Sequence, residues 1–305
     1  LSIRRQRQMC IRDRCKAELI SGEFEMGKHI DKAISEEEKA QGKVLLCCTT
    51  AKSDLKINVP GFNQNALPVR TLPVRIETIE IKHDVALLRL ALPKAPSFAF
   101  YAGQYIDLLL PGNISRSYSI ANSPDQEGVL DLHIRKRENG VCSEMIFGAE
   151  PKIKEKGIVR VKGPLGTFTL QQDSNKPIVL LATGTGYAPI RSILLDLIHQ
   201  NSERQVHFYW GARQQEDLYA LEEAEALIDR LKNAKFSPVL SKPDSDWKGE
   251  NGYVQNVAAQ NYPDLSQYEV YACGSPAMTE SAHSLLTQNC ALPEDAFFCD
   301  AFSPA

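Results

Sequence analysis

Thr183-Gly184-Thr185-Gly186-Tyr187-Ala188-Pro189 separates an apolar, strand-like run, Pro177–Ala182, from a helix-patterned stretch reaching from Ala188 to about His199. Glycines let a backbone come close to a pyrophosphate. The first N–H groups of the following helix, with its dipole behind them, point at that group. Pro189, near the first helical position, costs no hydrogen bond there. A plain strand-to-helix turn that needed glycine would read the same way, and a Gly-x-Gly alone does not decide between them. The position between strand and helix favours phosphate.

Downstream the same texture repeats. Val206–Trp210, Phe236–Leu240 and Glu269–Ala272 are strand-like, and Pro276–Gln288 is helix-like. Glu216–Leu231 is expected to be one helix, with Leu218, Leu221, Ala224, Ile228 and Leu231 spaced three or four apart. Strand–helix alternation over 176–305 predicts an α/β doubly wound parallel sheet. A second glycine turn, Tyr271-Ala272-Cys273-Gly274-Ser275-Pro276, again joins a strand to a helix start. Two such turns at strand C-termini would bracket the crevice where open α/β sheets bind ligands. Cys273 fits either a buried structural thiol or a group near the ligand, and its neighbour Gly274 favours the second.

Upstream, residues 70–172 are strand-rich: Arg75–Ile81, Ala86–Leu92, Tyr105–Leu110, Arg116–Ala121 and Val129–Arg135 are short and separated by turn formers. They predict an all-β barrel or sandwich, interrupted by one helix from Ser143 to about Phe147. Here lie Arg116-Ser117-Tyr118-Ser119, His133-Ile134-Arg135-Lys136 and Gly140-Val141-Cys142-Ser143. Arg116 offers a planar fork for phosphate, Tyr118 a ring for a flat cofactor, and the Gly140 turn a helix start. On their chemistry alone, ordinary strand and turn polar groups suit these residues equally. Val59–Val69 reads as a linker, and 15–58 as short apolar runs around a charged helical patch, Ser35–Lys39.

The 305 residues suit two or three domains. A net charge of −3 argues against a nucleic-acid partner. No apolar run reaches the ~18 residues of a membrane helix. Eight cysteines are scattered along the chain, which fits a reducing cytoplasm better than a secreted disulfide framework.

In this order and at these distances, Arg-x-Tyr-Ser, Gly-x-x-Ser, Gly-Thr-Gly-x-Ala-Pro and Cys-Gly-x-Pro resemble the ferredoxin–NADP reductase superfamily, from about Arg70 to the C-terminus. The resemblance implies an antiparallel β-barrel holding FAD and a doubly wound domain holding NAD(P)H. By it, Arg116, Tyr118 and Ser119 hold the flavin, with Ser119 near its reactive nitrogen. His133, Ile134 and Arg135 flank the ribityl and isoalloxazine portion, and Gly140, Cys142 and Ser143 the FAD pyrophosphate. Thr183, Gly184 and Gly186 line the dinucleotide pyrophosphate, while Cys273, Gly274, Ser275 and Pro276 edge the nicotinamide pocket. Phe302 is the candidate aromatic cover for the flavin face; a packed terminal strand would also account for the tail. Ser119, Cys273 and Phe302 are thus the catalytic candidates.

Residues 15–58 resemble the second half of a plant-type ferredoxin, a partial β-grasp segment in which a [2Fe–2S] cluster takes four thiolates. Cys15 matches the third ligand and Cys47 the fourth, with Cys48 a lesser candidate. The first two ligands would fall near positions 7 and 12, which are both Arg, and Cys10 does not fit the spacing. Leu1–Arg14 is basic and lacks the expected glycine-rich loop. It looks foreign to the family, like translated adapter or misassembled sequence on a truncated gene. The chain is therefore expected not to hold the cluster normally.

Within the superfamily, Gly42–Leu55, Arg70–Pro73, Ala102–Asp107, Tyr209–Arg213 and the Asp300-Ala301-Phe302 tail resemble bacterial proteins described as CDP-6-deoxy-3,4-glucoseen reductases. Hydride transfer from NAD(P)H to FAD, then single electrons by way of a [2Fe–2S] cluster to a partner protein, which the last resemblance implies is a dehydratase, is the expected function. The rivals are the reductase of an aromatic-ring or alkane oxygenase, a free-flavin reductase, and a nucleotide-binding regulatory module without turnover. Arg213 could meet the 2′-phosphate of NADPH, but Glu216 and Asp217 would repel it, so NADH is favoured.

Overall fold

A computed structural model describes residues 16–27, 34–46, 48–58 and 67–302. Cys10, Cys15 and Cys47, and the expectations for Leu1–Arg14, lie outside the described residues. The chain divides into two compact units, the second beginning at Leu67.

In the first unit, β1 (Lys16–Ser21) pairs antiparallel with β3 (Lys43–Leu45) and β5 (Lys56–Asn58), and β2 (Phe24–Met26) pairs with β4 (Thr49–Ala51). The expected charged helix is α1 (Glu36–Ala40). Ser35 caps it: its hydroxyl accepts from Glu38 N–H at 3.1 Å, while the Glu38 carboxylate accepts from Ser35 N–H at 2.9 Å.

The second unit begins with six antiparallel strands: β6 (Arg70–Lys82), β7 (Val85–Ala91), β8 (Tyr105–Leu110), β9 (Ile114–Ser119), β10 (Val129–Arg135) and β11 (Ile158–Leu165). Their order is β10-β7-β6-β11-β8-β9. A bridge between Ile120 and Leu132 brings the last strand back to the first, so the sheet closes on itself as a barrel. Ile76, Leu90, Ile106, Leu108, Ile120 and Leu132 fill the interior. The helix α2 (Val141–Phe147) follows Gly140.

The rest of the unit is a parallel sheet of β12 (Ile178–Thr183), β13 (Val206–Ala212), β14 (Ala234–Leu240), β15 (Glu250–Asn251), β16 (Glu269–Gly274) and β17 (Phe297–Ala301), ordered β15-β14-β13-β12-β16-β17. It carries α3 (Tyr187–His199), α4 (Leu221–Ile228), α5 (Val254–Asn261) and α6 (Pro276–Asn289). The central strands are buried on both faces and read as unbroken apolar runs, as Ile178–Ala182 does. The order runs outward from β12 through β13 to β15, then reverses to β16. The switch point lies between β12 and β16.

One expectation is corrected. Glu216–Leu231 is not a single helix: Gln215–Asp217 is a 3₁₀ turn and α4 spans only Leu221–Ile228. Leu218 and Leu231 are buried as their spacing implied. The break arises because Asp217 and Tyr219 are drawn to partners on the barrel.

Candidate functional site at the switch point

Both glycine turns sit at the switch point and press on each other. A Cβ on Gly186 would collide with the Cys273 carbonyl, and one on Gly274, at φ +145°, with the Thr183 hydroxyl. Ser275 N–H donates to Thr183 Oγ1 at 3.2 Å. Packing alone therefore demands glycine at 186 and 274. Gly184, at φ +55°, faces outward to a different neighbour, the Arg135 guanidinium, whose Nη1 lies 3.0 Å from where its Cβ would be. Trp210 Nε1–H holds the turn by donating to the Gly184 carbonyl at 3.0 Å. Neither the Gly184 turn nor α3 receives a side-chain cap, and the first turn of α3 holds no acidic residue. Uncapped N–H groups beside an arginine fit an anionic ligand.

Arg135 belongs to barrel strand β10, yet it spans both sheets. Its Nε donates to Asp84 and its Nη2 to Asp217, each at 2.6 Å. Burial works against its charge, but the two carboxylates outweigh it and raise the guanidinium. His133 is 8% exposed, with Nδ1 2.8 Å from the Tyr219 hydroxyl. Burial, then Arg191 and Lys82, push its pKa down to about 3, so the ring is neutral at physiological pH. Arg191 on α3 donates to Glu223 at 2.9 Å and to the Ala121 carbonyl at 2.7 Å, and Ser192 donates to the Asn122 carbonyl at 2.7 Å. These bonds form a polar seam joining barrel and parallel sheet.

On the barrel, Arg116 and Tyr118 alternate with Ser115 and Ser117 along β9, so both project from one face. Tyr118 on β9 lies beside Cys142 on α2. Burial, then Cys142, raises the Tyr118 pKa; burial raises the Cys142 thiol too. Arg116, partly exposed, donates to the Ser115 carbonyl at 2.8 Å and has no carboxylate partner among the described residues. Gly140 starts α2 with no side-chain cap, and Ser143 Oγ accepts from Arg137 N–H at 2.8 Å. A guanidinium without a counter-ion, an uncapped helix start and an aromatic ring on one wall fit a flavin dinucleotide.

The structure thus brings Arg116, Tyr118, Cys142 and Ser143 together on the barrel, and Thr183, Gly184, Gly186, Gly274, Ser275 and Pro276 at the crevice. Ser119 ends β9 opposite Tyr105 and is buried. Phe302 follows β17, and its N–H donates to the Gly274 carbonyl at 2.7 Å, which brings it beside the second turn. Four further candidates are packed or hydrogen-bonded. Cys273 is fully buried in the core of the parallel sheet, because β16 is an interior strand, and its carbonyl packs on Gly186. Ile134, 1% exposed, points into the barrel core, so only its backbone can border a ligand. His133 and Arg135 take part in the seam through Tyr219, Asp84 and Asp217. Asp84, Tyr187, Trp210, Tyr219 and Glu223 were not legible as seam residues. Tyr187, inside the glycine motif and stacked on Trp210 with centroids 4.3 Å apart, was their one local signal.

Among the described residues no group of three or more His, Cys, Asp or Glu could hold a metal. Cys15 and Cys47 lie outside them, so cluster chemistry enters no step below. No helix among them is long and apolar enough to cross a membrane.

A closing barrel, a switch-point crevice and a polar seam between them fit a flavin- and dinucleotide-binding oxidoreductase. Residues 74–170 match the oxidoreductase FAD-binding domain and residues 180–284 the oxidoreductase NAD-binding domain. The chain belongs to the ferredoxin-reductase-like FAD- and NAD-binding oxidoreductases. It is 42% identical, over 95% of its length and 86% of the relative's, to the CDP-6-deoxy-L-threo-D-glycero-4-hexulose-3-dehydrase reductase of Yersinia pestis. To the reductase component of propane 2-monooxygenase from Rhodococcus jostii it is 33% identical, over 95% of this chain and 81% of that one. The crystal structure of the Amycolatopsis cytochrome P450 reductase GcoB superposes with a TM-score of 0.77 at 28% identity, covering 95% of this chain and 87% of the other. The protein is an FAD-dependent NAD(P)H oxidoreductase that passes electrons to a partner.

Proposed function

We propose that this chain is the reductase of a deoxysugar dehydratase system, drawing on NADH and delivering single electrons to the dehydratase. FAD, when bound, supplies the ability to accept a hydride and release electrons one at a time. The chain's own residues bind and orient. Arg116 and the Gly140–Ser143 helix start hold the FAD phosphates, and Tyr118 supports the ring. Ser119 contributes a hydroxyl at the reacting edge. Thr183, Gly184 and Gly186 take the dinucleotide phosphates. Gly274, Ser275 and Pro276 bound the nicotinamide side, and Phe302 excludes water there. The carrying observation is the contact of two glycine turns at the switch point, the first without a side-chain cap and with a barrel arginine laid across it.

The higher identity to the hexulose-dehydrase reductase favours a dehydratase acceptor; likeness to oxygenase reductases keeps an oxygenase component as the second reading. Glu216 stays exposed near Arg213, which supports NADH, although Asp217 is spoken for by Arg135. Cys15 and Cys47 offer two thiolates where a plant-type cluster takes four, so we read the [2Fe–2S] site as incomplete in this chain. We read its work as cytoplasmic, a reading that the scattered cysteines favour.

The test is anaerobic addition of NADH to FAD-loaded protein. Bleaching of the flavin absorbance, followed by reoxidation on adding a dehydratase, is expected. Absorbance unmoved by NADH and NADPH alike would end the proposal, and reoxidation by an oxygenase component alone would select the second reading.

A further inference from the structure

Arg135 uses two of its three nitrogens on carboxylates, Nε on Asp84 and Nη2 on Asp217. The third, Nη1, faces the Gly184 turn and has no acceptor among the described residues. Asp84 comes from the barrel and Asp217 from the loop after β13, next to β12 in the sheet. One anion of the parallel-sheet domain is therefore already seated on the cation that faces its phosphate turn. Asp217 is fixed there: its other oxygen accepts from Gln214 N–H at 3.3 Å, and Tyr219, two residues on, is anchored to His133.

We infer that Asp217 is a built-in competitor of the dinucleotide: its carboxylate occupies Arg135 and sets how tightly NADH or NADPH phosphates bind the Gly184 turn. The inference rests on reading that turn as the phosphate site. A dinucleotide arriving there meets a free Nη1 but also a neighbouring negative charge, and full use of the guanidinium requires Asp217 to yield. Asp84, on the barrel, keeps the arginine aimed at the turn while this exchange occurs.

The experiment titrates FAD-loaded protein with NAD⁺, which binds without reacting, and reads Kd by calorimetry. Asp217→Asn keeps an oxygen for the Gln214 N–H while removing the charge; Asp217→Ser is a second neutral variant and Asp217→Glu keeps the charge. The neutral variants should bind about three- to tenfold more tightly, and Asp217→Glu should stay near the parent. Arg135→Gln should weaken binding about tenfold and abolish the gain from Asp217→Asn in the double variant. Unchanged or weaker binding by the neutral variants with FAD retained, or a gain that persists in the Arg135→Gln background, overturns the inference. If the neutral variants lose FAD, a structure of the unmodified protein with NAD⁺ decides: Arg135 on phosphate supports it, and Arg135 still on Asp217 alone refutes it. Failure of the unmodified protein to be reduced by NADH or NADPH would instead strike the functional proposal.

Discussion

Arg116 is the residue whose environment is most open to an anionic ligand, because its half-exposed guanidinium has a backbone carbonyl and no carboxylate as partner among the described residues. Replacing it with Ala should weaken FAD binding by about 1.5–3 kcal/mol, the worth of a charge-assisted bond, or roughly ten- to hundredfold in a flavin-fluorescence titration. Two histidines carry the pH dependence. Burial, then Lys235, lowers His207 to about 4, where its ring meets the Tyr262 hydroxyl at 2.9 Å and Ser237 at 3.0 Å; His133 is lowered to about 3. Both are depressed below 6.5, so the unfolded chain binds more protons between about 4 and 6.5. Stability is therefore full above that window and falls as pH drops through it. Each histidine contributes a slope of about 1.4 kcal/mol per pH unit. Asp196, raised by burial, opposes this by at most one proton. Urea titrations should show the decline, and His207→Gln should flatten it by one proton's worth.

At the scale of elements, the two strand-to-helix turns behave as one part. Gly186→Ala and Gly274→Ala each force a methyl into the other turn's backbone or side chain, and Gly274 adds a positive φ that alanine resists. Either should lower stability by about 2 kcal/mol or more, visible as an earlier thermal unfolding midpoint. At the opposite end of the sheet, Arg204 pairs with Glu269 at 2.7 Å, their side chains 7% and 6% exposed. Arg204 also donates to the Lys176 carbonyl at 2.7 Å, pinning the segment that enters β12. Removing one partner strands a buried charge, so Glu269→Ala should cost about 3–5 kcal/mol by denaturant titration.

For the whole molecule, the boundary before Leu67 implies that the second unit carries the flavin and dinucleotide chemistry. A chain beginning at Leu67 should fold, retain FAD through desalting and reduce ferricyanide with NADH; loss of flavin on truncation would contradict this. The 305-residue chain should bind far less than two irons per protein after anaerobic reconstitution, read by iron assay. Several features were open to reading in one dimension. Strands Tyr105–Leu110 and Val129–Arg135 occur as their apolar spacing predicts, and α1 starts at the Ser35 cap. These depend on local periodicity, turn chemistry and capping, which neighbouring residues encode. The resemblance of four spaced motifs supplied the flavoprotein class. What lay beyond a linear reading was contact across 50 to 90 positions: Arg135 with Asp84 and Asp217, His133 with Tyr219, Arg191 with Ala121. A carboxylate that looks like a repeller of phosphate in sequence becomes, once folded, the counter-ion of an arginine. Likewise a cysteine at a strand end has its thiol buried because its strand is interior. Sequence by itself determined which segments are strands, helices and glycine turns, because those choices are local; only the tertiary structure decided which charges meet, because pairing depends on distances that chain order does not contain.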